Sequence, residues 1–297
     1  MKAQEDTPTG DVHLRLLGPL EVEHEGSAAP LGGRAQRALL ARLLLDANRT
    51  VAIDRLIEDL WGEEAPASAF KMVHIYVSRL RKVLPDGMLV TRAPGYALEI
   101  DAETLDVSRF ERLRELARTA LAGGQAATAA DHLRNALALW RGPALAEFDE
   151  PFAVVESARL EELRLSALED RIDADLALGR HNGLVGELDA LVAHNPLRER
   201  LRGQLMLARY RSGLQAEALA GYRQLRELLA TELGIEPSAA LRDLERRMLQ
   251  QDPMLDVVAG QTPPRAAVIP HRAATARLRR STSRVVRRRS HLSPACA

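Results

Sequence analysis

Residues 71–82 read KMVHIYVSRLRK, and this stretch decides how the first part of the chain is interpreted. Val73, Val77 and Leu80 recur at helical spacing and form an apolar stripe along one side of a predicted helix. The other side carries several basic residues, and the stretch contains no Asp or Glu. Surface helices usually mix charges of both signs, because i,i+4 ion pairs stabilise them. The pattern therefore predicts either a plain solvated basic face or a surface that binds an anionic partner.

The charge of the surrounding chain favours an anionic partner. Residues 1–105 contain 12 Lys or Arg and 16 Asp or Glu, a net charge of −4, whereas residues 71–92 contain five basic residues and one acid. A positive island in a negative domain attracts a phosphate backbone. On the basic face, Arg79 is suited to pair with guanine O6 and N7, and Ile75 is suited to touch a thymine methyl group.

The elements on either side of this helix predict a winged helix-turn-helix. Residues 12–31 alternate apolar and polar residues between turn signals, which is typical of short strands. Two amphipathic helices follow, then the basic helix over about residues 68–84, and then a hairpin over residues 88–100 that turns at Ala93-Pro94-Gly95. Two helices joined by a short loop, of which the second is basic and is followed by a hairpin, form a winged helix-turn-helix. In this arrangement the basic helix enters the major groove and the hairpin lies on the adjacent backbone or minor groove.

The second half of the chain predicts an all-α array. From about residue 105 to residue 250 the apolar residues recur at helical spacing, and Gly124, Gly179 and Gly213 each interrupt it with a short polar turn. The 34 residues from Gly179 to Gly213 match the period of tetratricopeptide repeats, whereas the 55 residues from Gly124 to Gly179 do not. We expect a tetratricopeptide-like array, with a plain helical bundle as the alternative.

The ends of the chain differ from the rest. We expect a disordered N-terminus over residues 1–11, a DNA-binding domain over 12–104, a helical domain over 105–252 and a disordered segment over 253–297. Residues 263–297 hold nine Arg and no acid, which leaves residues 1–262 with a net charge of −9. This tail is either incidental or a nonspecific arm that adds phosphate contacts.

Other function classes lack their motifs. The one cysteine, Cys296, permits no internal disulfide, and neither H-E-x-x-H nor G-x-S-x-G occurs, so we expect no metal site and no catalytic site. G-x-x-x-x-G-K-[ST] is absent as well, so we expect no nucleotide cofactor. The polar N-terminus lacks a signal peptide's apolar run, and no apolar stretch is long enough to cross a membrane. The sequence thus predicts a cytoplasmic protein with no membrane partner.

Long runs of the sequence resemble a known family. The runs HLRLLGPLEVEHEG, DRLIEDLWG, VHIYVSRLRKVL and LVTRAPGYALEI resemble the OmpR-type winged helix of the Streptomyces antibiotic regulatory proteins. The runs LWRGPALAEF and HNPLRERLRGQLMLARYRSGLQAEALAGYRQLRELLATELGIEPSAAL resemble the bacterial transcriptional activation domain of that family. The resemblance implies an activator of secondary-metabolite gene clusters. Such activators bind tandem direct repeats near a promoter, associate with one another on DNA and recruit RNA polymerase holoenzyme.

The resemblance also assigns roles to single residues. It places the recognition helix on Lys71, His74, Ile75, Ser78, Arg79, Arg81 and Lys82, and the wing on Arg92. Of these, Arg79 and Arg92 are expected to contact bases, whereas Lys71, Ser78, Arg81 and Lys82 are expected to contact phosphates. Arg34 and Arg37 are either further phosphate contacts or plain solvated arginines. Glu63 and Glu64 lie in the loop that faces the polymerase in OmpR-type proteins, although a plain acidic loop explains them equally well.

One alternative belongs to a different class of function. Helical repeats stack into a concave surface that commonly holds a peptide or another protein. The chain would then be a protein-interaction scaffold, and the winged helix would be a docking module.

Overall fold

The computed structural model describes residues 12–256 of the 297-residue chain. It begins with a small antiparallel sheet in the order β1-β2-β3, formed by Val12–Arg15, Glu21–His24 and Ser27–Ala28. Val12 and Leu14 are buried while His13 and Arg15 are half-buried, because successive side chains of a strand point to opposite faces. The short strands predicted for residues 12–31 are confirmed.

Three helices follow the first sheet: α1 (Arg34–Leu45), α2 (Ile53–Trp61) and α3 (Ala69–Leu80). The basic helix was predicted to extend to about residue 84, but α3 ends at Leu80 and residues 81–84 form turns. The next residue is Pro85, and a proline disfavours the helical conformation at the residue before it. Arg81 and Lys82 therefore lie just beyond the helix.

A second antiparallel sheet contains the predicted hairpin. Its order is β4-β6-β5, where β4 is Val51–Ala52, β5 is Leu89–Arg92 and β6 is Gly95–Leu98. The two-residue β4 was not predicted, since two residues carry no periodicity. Gly95 is required for its pairing, because a Cβ atom at this position would lie 1.8 Å from the carbonyl oxygen of Val51.

The remaining elements are helices, which confirms the mainly α fold with an N-terminal winged helix. Gly124, Gly179 and Gly213 have φ angles of +69°, +75° and +79°, and each lies in the turn after a helix. This left-handed conformation favours glycine and is common where helices end. The helices are α4 (Asp106–Ala122), α5 (Ala126–Leu137), α6 (Pro151–Ala177), α7 (Val185–His194), α8 (Glu199–Arg211), α9 (Gln215–Leu233) and α10 (Ala239–Leu249).

The irregular spacing from Gly124 to Gly179 has a structural cause. Residues 138–150, here called the clasp loop, connect α5 to the 27-residue helix α6 and return to the winged helix. The backbone N–H of Arg141 donates to the carbonyl oxygen of Leu17 at 2.8 Å, and the N–H of Leu20 donates to Glu147 at 2.6 Å. The extra residues thus serve a contact with the winged helix.

The hydrophobic core is continuous across the start of the helical part. One cluster of buried residues extends from Val12 in β1 to Ala174 in α6, and two smaller clusters lie among α6 to α8 and among α8 to α10. A backbone bridge between Leu14 and Leu105 also joins β1 to the residue that precedes α4. The winged helix and the first repeat helices therefore share one core.

The ordered helical part extends further towards the C-terminus than expected. Disorder was expected from residue 253, but Pro253–Leu255 form a 3₁₀ turn. The Leu255 side chain is 4% exposed, and its carbonyl oxygen accepts a hydrogen bond from Arg211 at 2.7 Å. Residues 1–11 and 257–297, which include the arginine-rich tail, lie outside the described residues.

Candidate nucleic-acid interface

The apolar stripe of α3 anchors the helix to the winged-helix core. Val73, Val77 and Leu80 are each no more than 2% exposed. Burying three such side chains contributes several kcal/mol, at about 1.5–3 kcal/mol each. This anchoring turns the opposite side outward, where Ile75 is 39% exposed despite being apolar.

The outward side of α3 and the turn after it carry cations without acidic partners. The side chains of Lys71, Ser78, Arg79 and Lys82 are exposed. Within residues 12–256, none of Lys71, Arg79 and Lys82 forms a side-chain ion pair or hydrogen bond. Their charges are thus open to an external anion without first breaking a contact inside the protein.

His74 has a different environment. Its Nδ1 atom lies 2.6 Å from the hydroxyl of Tyr96 in β6, and its ring meets the Phe70 ring edge-on at 4.7 Å between centroids. Burial raises the pKa of the Tyr96 hydroxyl, and the charge of Arg81 partly offsets this effect. His74 was expected to face the groove, but the structure directs a ring nitrogen to the wing.

Arg81 is also turned towards the wing. Its Nε donates to the carbonyl oxygen of Leu89 at 2.9 Å and its Nη2 donates to the Thr91 hydroxyl at 2.8 Å. Its guanidinium carbon lies 5.8 Å from the centre of the Tyr96 ring, within the range of a cation–π contact. A phosphate contact was expected for Arg81, yet these donors are used within the protein.

Arg92 ends strand β5 on the wing and is 54% exposed. Its Nη2 atom lies 2.6 Å from a carboxylate oxygen of Glu99. An exposed ion pair of this kind contributes only about 0–1 kcal/mol, so an incoming phosphate or base edge competes with it readily.

Arg34 and Arg37 are not part of this surface. Arg37 makes a bidentate contact with Glu147 of the clasp loop at 2.7 and 2.8 Å and also donates to the carbonyl oxygen of Leu20. Arg34 pairs with Asp149 at 2.7 Å and with Glu150 at 3.3 Å, and the Glu150 side chain is only 13% exposed, so this pair is less open to competition than the exposed pair of Arg92 with Glu99. Arg34 and Arg37 were expected to be either phosphate contacts or plain solvated arginines, whereas the structure pairs both with carboxylates that hold the helical part against the winged helix.

Asp106 and Glu147 complete this contact, and sequence reasoning missed both. Asp106, 5% exposed, accepts the N–H of Leu16 and of Leu17 at 2.8–2.9 Å. Burial raises the pKa of Asp106, although these hydrogen bonds partly offset the rise. Burial also raises the pKa of Glu147, but the hydrogen bonds from Arg37 and Leu20 outweigh it, so the pKa lies below its ordinary value. These partners are 89–127 residues apart in sequence, beyond any periodic signal.

The acidic loop between α2 and α3 presents Glu63 and Glu64 to solvent. Both belong to the 3₁₀ turn Gly62–Glu64 and are exposed. A Cβ atom at Gly62 would lie 3.6 Å from Pro151, so the turn lies beside the start of α6.

Two other kinds of feature are absent from residues 12–256. That part of the chain brings together no group of three or more His, Cys, Asp or Glu side chains that fits a metal ion. It also contains no helix that is both long enough and apolar enough to span a membrane.

Comparison with known proteins gives two matching family models. Residues 31–108 match "Transcriptional regulatory protein, C terminal", and residues 105–249 match "Bacterial transcriptional activator domain". The regulatory protein DnrI of Streptomyces peucetius is 38% identical over 269 residues, which cover 86% of this chain and 99% of DnrI. The chain belongs to the Streptomyces antibiotic regulatory protein family of transcriptional activators.

Some relatives are longer than the part that they share with this chain. This family member is 47% identical to the regulatory protein AfsR of Streptomyces coelicolor over 259 residues, but it spans only 26% of AfsR. A solved structure of Mycobacterium tuberculosis EmbR in complex with a low-affinity phosphopeptide superposes with a TM-score of 0.79 at 38% identity. That match covers 82% of this chain and 66% of the EmbR chain. The shared part is thus the winged helix with its helical repeats.

Proposed function

We propose that this family member is a sequence-specific DNA-binding activator of a secondary-metabolite, and in particular antibiotic, gene cluster. It binds tandem direct repeats near a promoter, associates with itself there and recruits RNA polymerase holoenzyme. The observation that carries the proposal is the outward surface of α3 and its following turn, where Lys71, Arg79 and Lys82 have no acidic partner among the described residues. We propose that it acts in the cytoplasm and catalyses no reaction.

In this proposal α3 enters the major groove with its exposed side towards the base edges. Arg79 donates to guanine O6 and N7, and Ile75 packs on a thymine methyl group. Lys71, Ser78 and Lys82 contact phosphates. Arg92 leaves Glu99 and contacts the backbone or a base edge beside the wing.

A gel shift with the native chain and Arg79→Ala tests the proposal. The DNA probe is a duplex that the native protein enriches from a random library. Footprinting on the DNA upstream of the gene then gives the sequence of the repeat and its spacing. Direct repeats predict two protomers per probe. The scaffold alternative predicts that Arg79→Ala and Lys82→Ala leave DNA binding unchanged, so that outcome would favour a protein-interaction module.

The contribution of Ile75 is tested by Ile75→Ser. The side chain is already 39% exposed, so the protein should fold normally. Binding should weaken only on probes that keep the contacted thymine. Equal weakening on all probes would remove Ile75 from the base-reading surface.

We further propose that Glu63 and Glu64 meet a basic surface of the polymerase. Reversing both charges to lysine should leave DNA binding intact and abolish activated transcription in a reconstituted assay. Glu227 and Glu232 of α9, which are also exposed, provide a matched control pair. If both pairs reduce transcription equally, the effect follows net charge and this contact is contradicted.

A further inference from the structure

We propose that Tyr96 sets the angle between α3 and the wing, and that His74 and Arg81 are positioning residues that hold α3 to it. This inference rests on the proposed DNA binding. It changes the role of both residues, since a positioning residue acts on affinity without touching DNA.

One ring, that of Tyr96, is held at two places along α3 and its following turn. His74 and Arg81 are seven residues apart, close to two helical turns, so they lie on the same side of the helix axis. The Tyr96 hydroxyl lies 2.6 Å from His74, while the Arg81 guanidinium lies 5.8 Å from the ring centre. Two contacts so separated resist rotation of the helix better than one contact does.

Tyr96 itself is fixed by its place in the sheet. It belongs to β6, the central strand of the sheet, where its backbone lies opposite Val51 on one side and Thr91 on the other. The residue is 4% exposed, so its side chain is not available to DNA. Any effect of Tyr96 on DNA binding must therefore act through the residues that it holds.

Arg81 also binds the wing through strand β5. Its donors to Leu89 and Thr91 lie along one edge of the same planar guanidinium group, a geometry that a lysine ammonium does not reproduce. The Arg81 side chain thus joins the end of α3 to both strands of the hairpin.

This network has a consequence for recognition. If helix and wing are held at one angle before binding, groove contacts and wing contacts form in a single register. Because the helix and the wing are ordered before binding, less conformational entropy is lost when the complex forms. Loosening the network should therefore weaken contacts beneath the wing while the helix contacts remain.

The test measures the salt dependence of binding to the enriched duplex for the full chain and for Tyr96→Phe, Arg81→Lys and Arg81→Met. We expect each variant to weaken specific binding by about 3–10-fold, as for the loss of one or two hydrogen bonds, and to reduce the salt slope by less than Lys82→Ala does, because the wing contacts loosen without being removed. Lys82→Ala is the matched control, since losing a phosphate contact should reduce the slope by about 0.9. Thermal unfolding confirms that each variant is folded under the binding conditions.

Hydroxyl-radical footprinting separates positioning from a general loss of folded protein. In Tyr96→Phe and Arg81→Lys, backbone protection beneath the wing should weaken while protection beside α3 stays. The inference is overturned if Arg81→Lys binds like the native chain and Arg81→Met lowers the slope as much as Lys82→Ala does. It is also overturned if both protections fall together. Failure of the native chain to enrich any duplex would instead contradict the DNA binding on which the inference rests.

Discussion

Arg34 and Arg37 at the start of α1 resemble Arg79 near the end of α3 in sequence, but the structure gives them different surroundings. Arg34 and Arg37 pair with carboxylates of the clasp loop, more than 100 residues away, whereas Arg79 has no partner within residues 12–256. Each is a basic residue on an amphipathic helix. The comparison shows that a cation's role depends on whether the fold brings a carboxylate to it, and that information is non-local.

The largest effect on stability is expected at Asp106, which joins the helical part to the winged helix. Asp106→Ala removes the acceptor of two buried N–H groups and leaves both without a partner. We expect the free energy of unfolding to fall by about 3 kcal/mol, since an unsatisfied buried group costs about 1–3 kcal/mol. Chemical denaturation measures this loss. Asp131→Ala, at a side chain that is 73% exposed, is the control and should change stability little.

The next largest effect is expected on DNA binding, at Arg79. Arg79→Ala should cost about 1–3 kcal/mol of specific DNA binding and relax the preference for one base. Its unfolding free energy should stay near the native value, because the side chain contacts no acid within the described part of the chain. Binding titrations against probes with each base at the contacted position measure the effect. Retained preference at every position would remove Arg79 from the base-reading surface.

Replacing Arg37 should have a smaller effect on stability. Arg37→Met leaves Glu147 with only the Leu20 N–H, so we expect the unfolding free energy to drop by about 1–2 kcal/mol. The salt slope of DNA binding should not change. A reduced slope in a folded Arg37→Met protein would return Arg37 to the DNA surface.

The clasp loop should also respond to pH through Glu147. Its pKa in the folded protein lies below the ordinary value of 4.5, so the folded state favours the carboxylate. The resulting stabilisation is present above pH 4.5 and is lost as the pH falls through the lower folded-state value. The difference in unfolding free energy between native and Glu147→Gln should shrink as the pH falls below 4.5. A difference that is constant over this range would contradict the role of the charge.

Much of the fold was readable because it depends on local periodicity. The stripe of Val73, Val77 and Leu80 predicted the buried side of α3, and the alternation around Ala93-Pro94-Gly95 predicted the wing. Gly124, Gly179 and Gly213 marked turns because glycine adopts their left-handed conformation without strain. In each case the signal and the structure lie within a few residues of each other.

The rest was not readable because it depends on distant pairings. Strand β4 exists only through its pairing with β6, and Gly95 is the local trace of that pairing. His74 and Arg81 fall on the polar arc of the helix, but contacts with Tyr96 and Thr91 on the following hairpin direct their polar atoms towards the wing. The exposed arc was thus predicted better than the direction of individual side chains.

The salt slope of DNA binding for Lys82→Ala and Arg34→Ala tests most directly whether unpaired cations bind DNA while paired cations stabilise the fold. Both changes remove one positive charge, but Arg34 pairs with Asp149 and Glu150, whereas Lys82 pairs with no acid among residues 12–256. We predict that Lys82→Ala lowers the slope by about 0.9 and that Arg34→Ala leaves it unchanged. Equal slopes in the two variants, or a reduction in Arg34→Ala alone, would contradict the division between cations that bind DNA and cations that hold the fold.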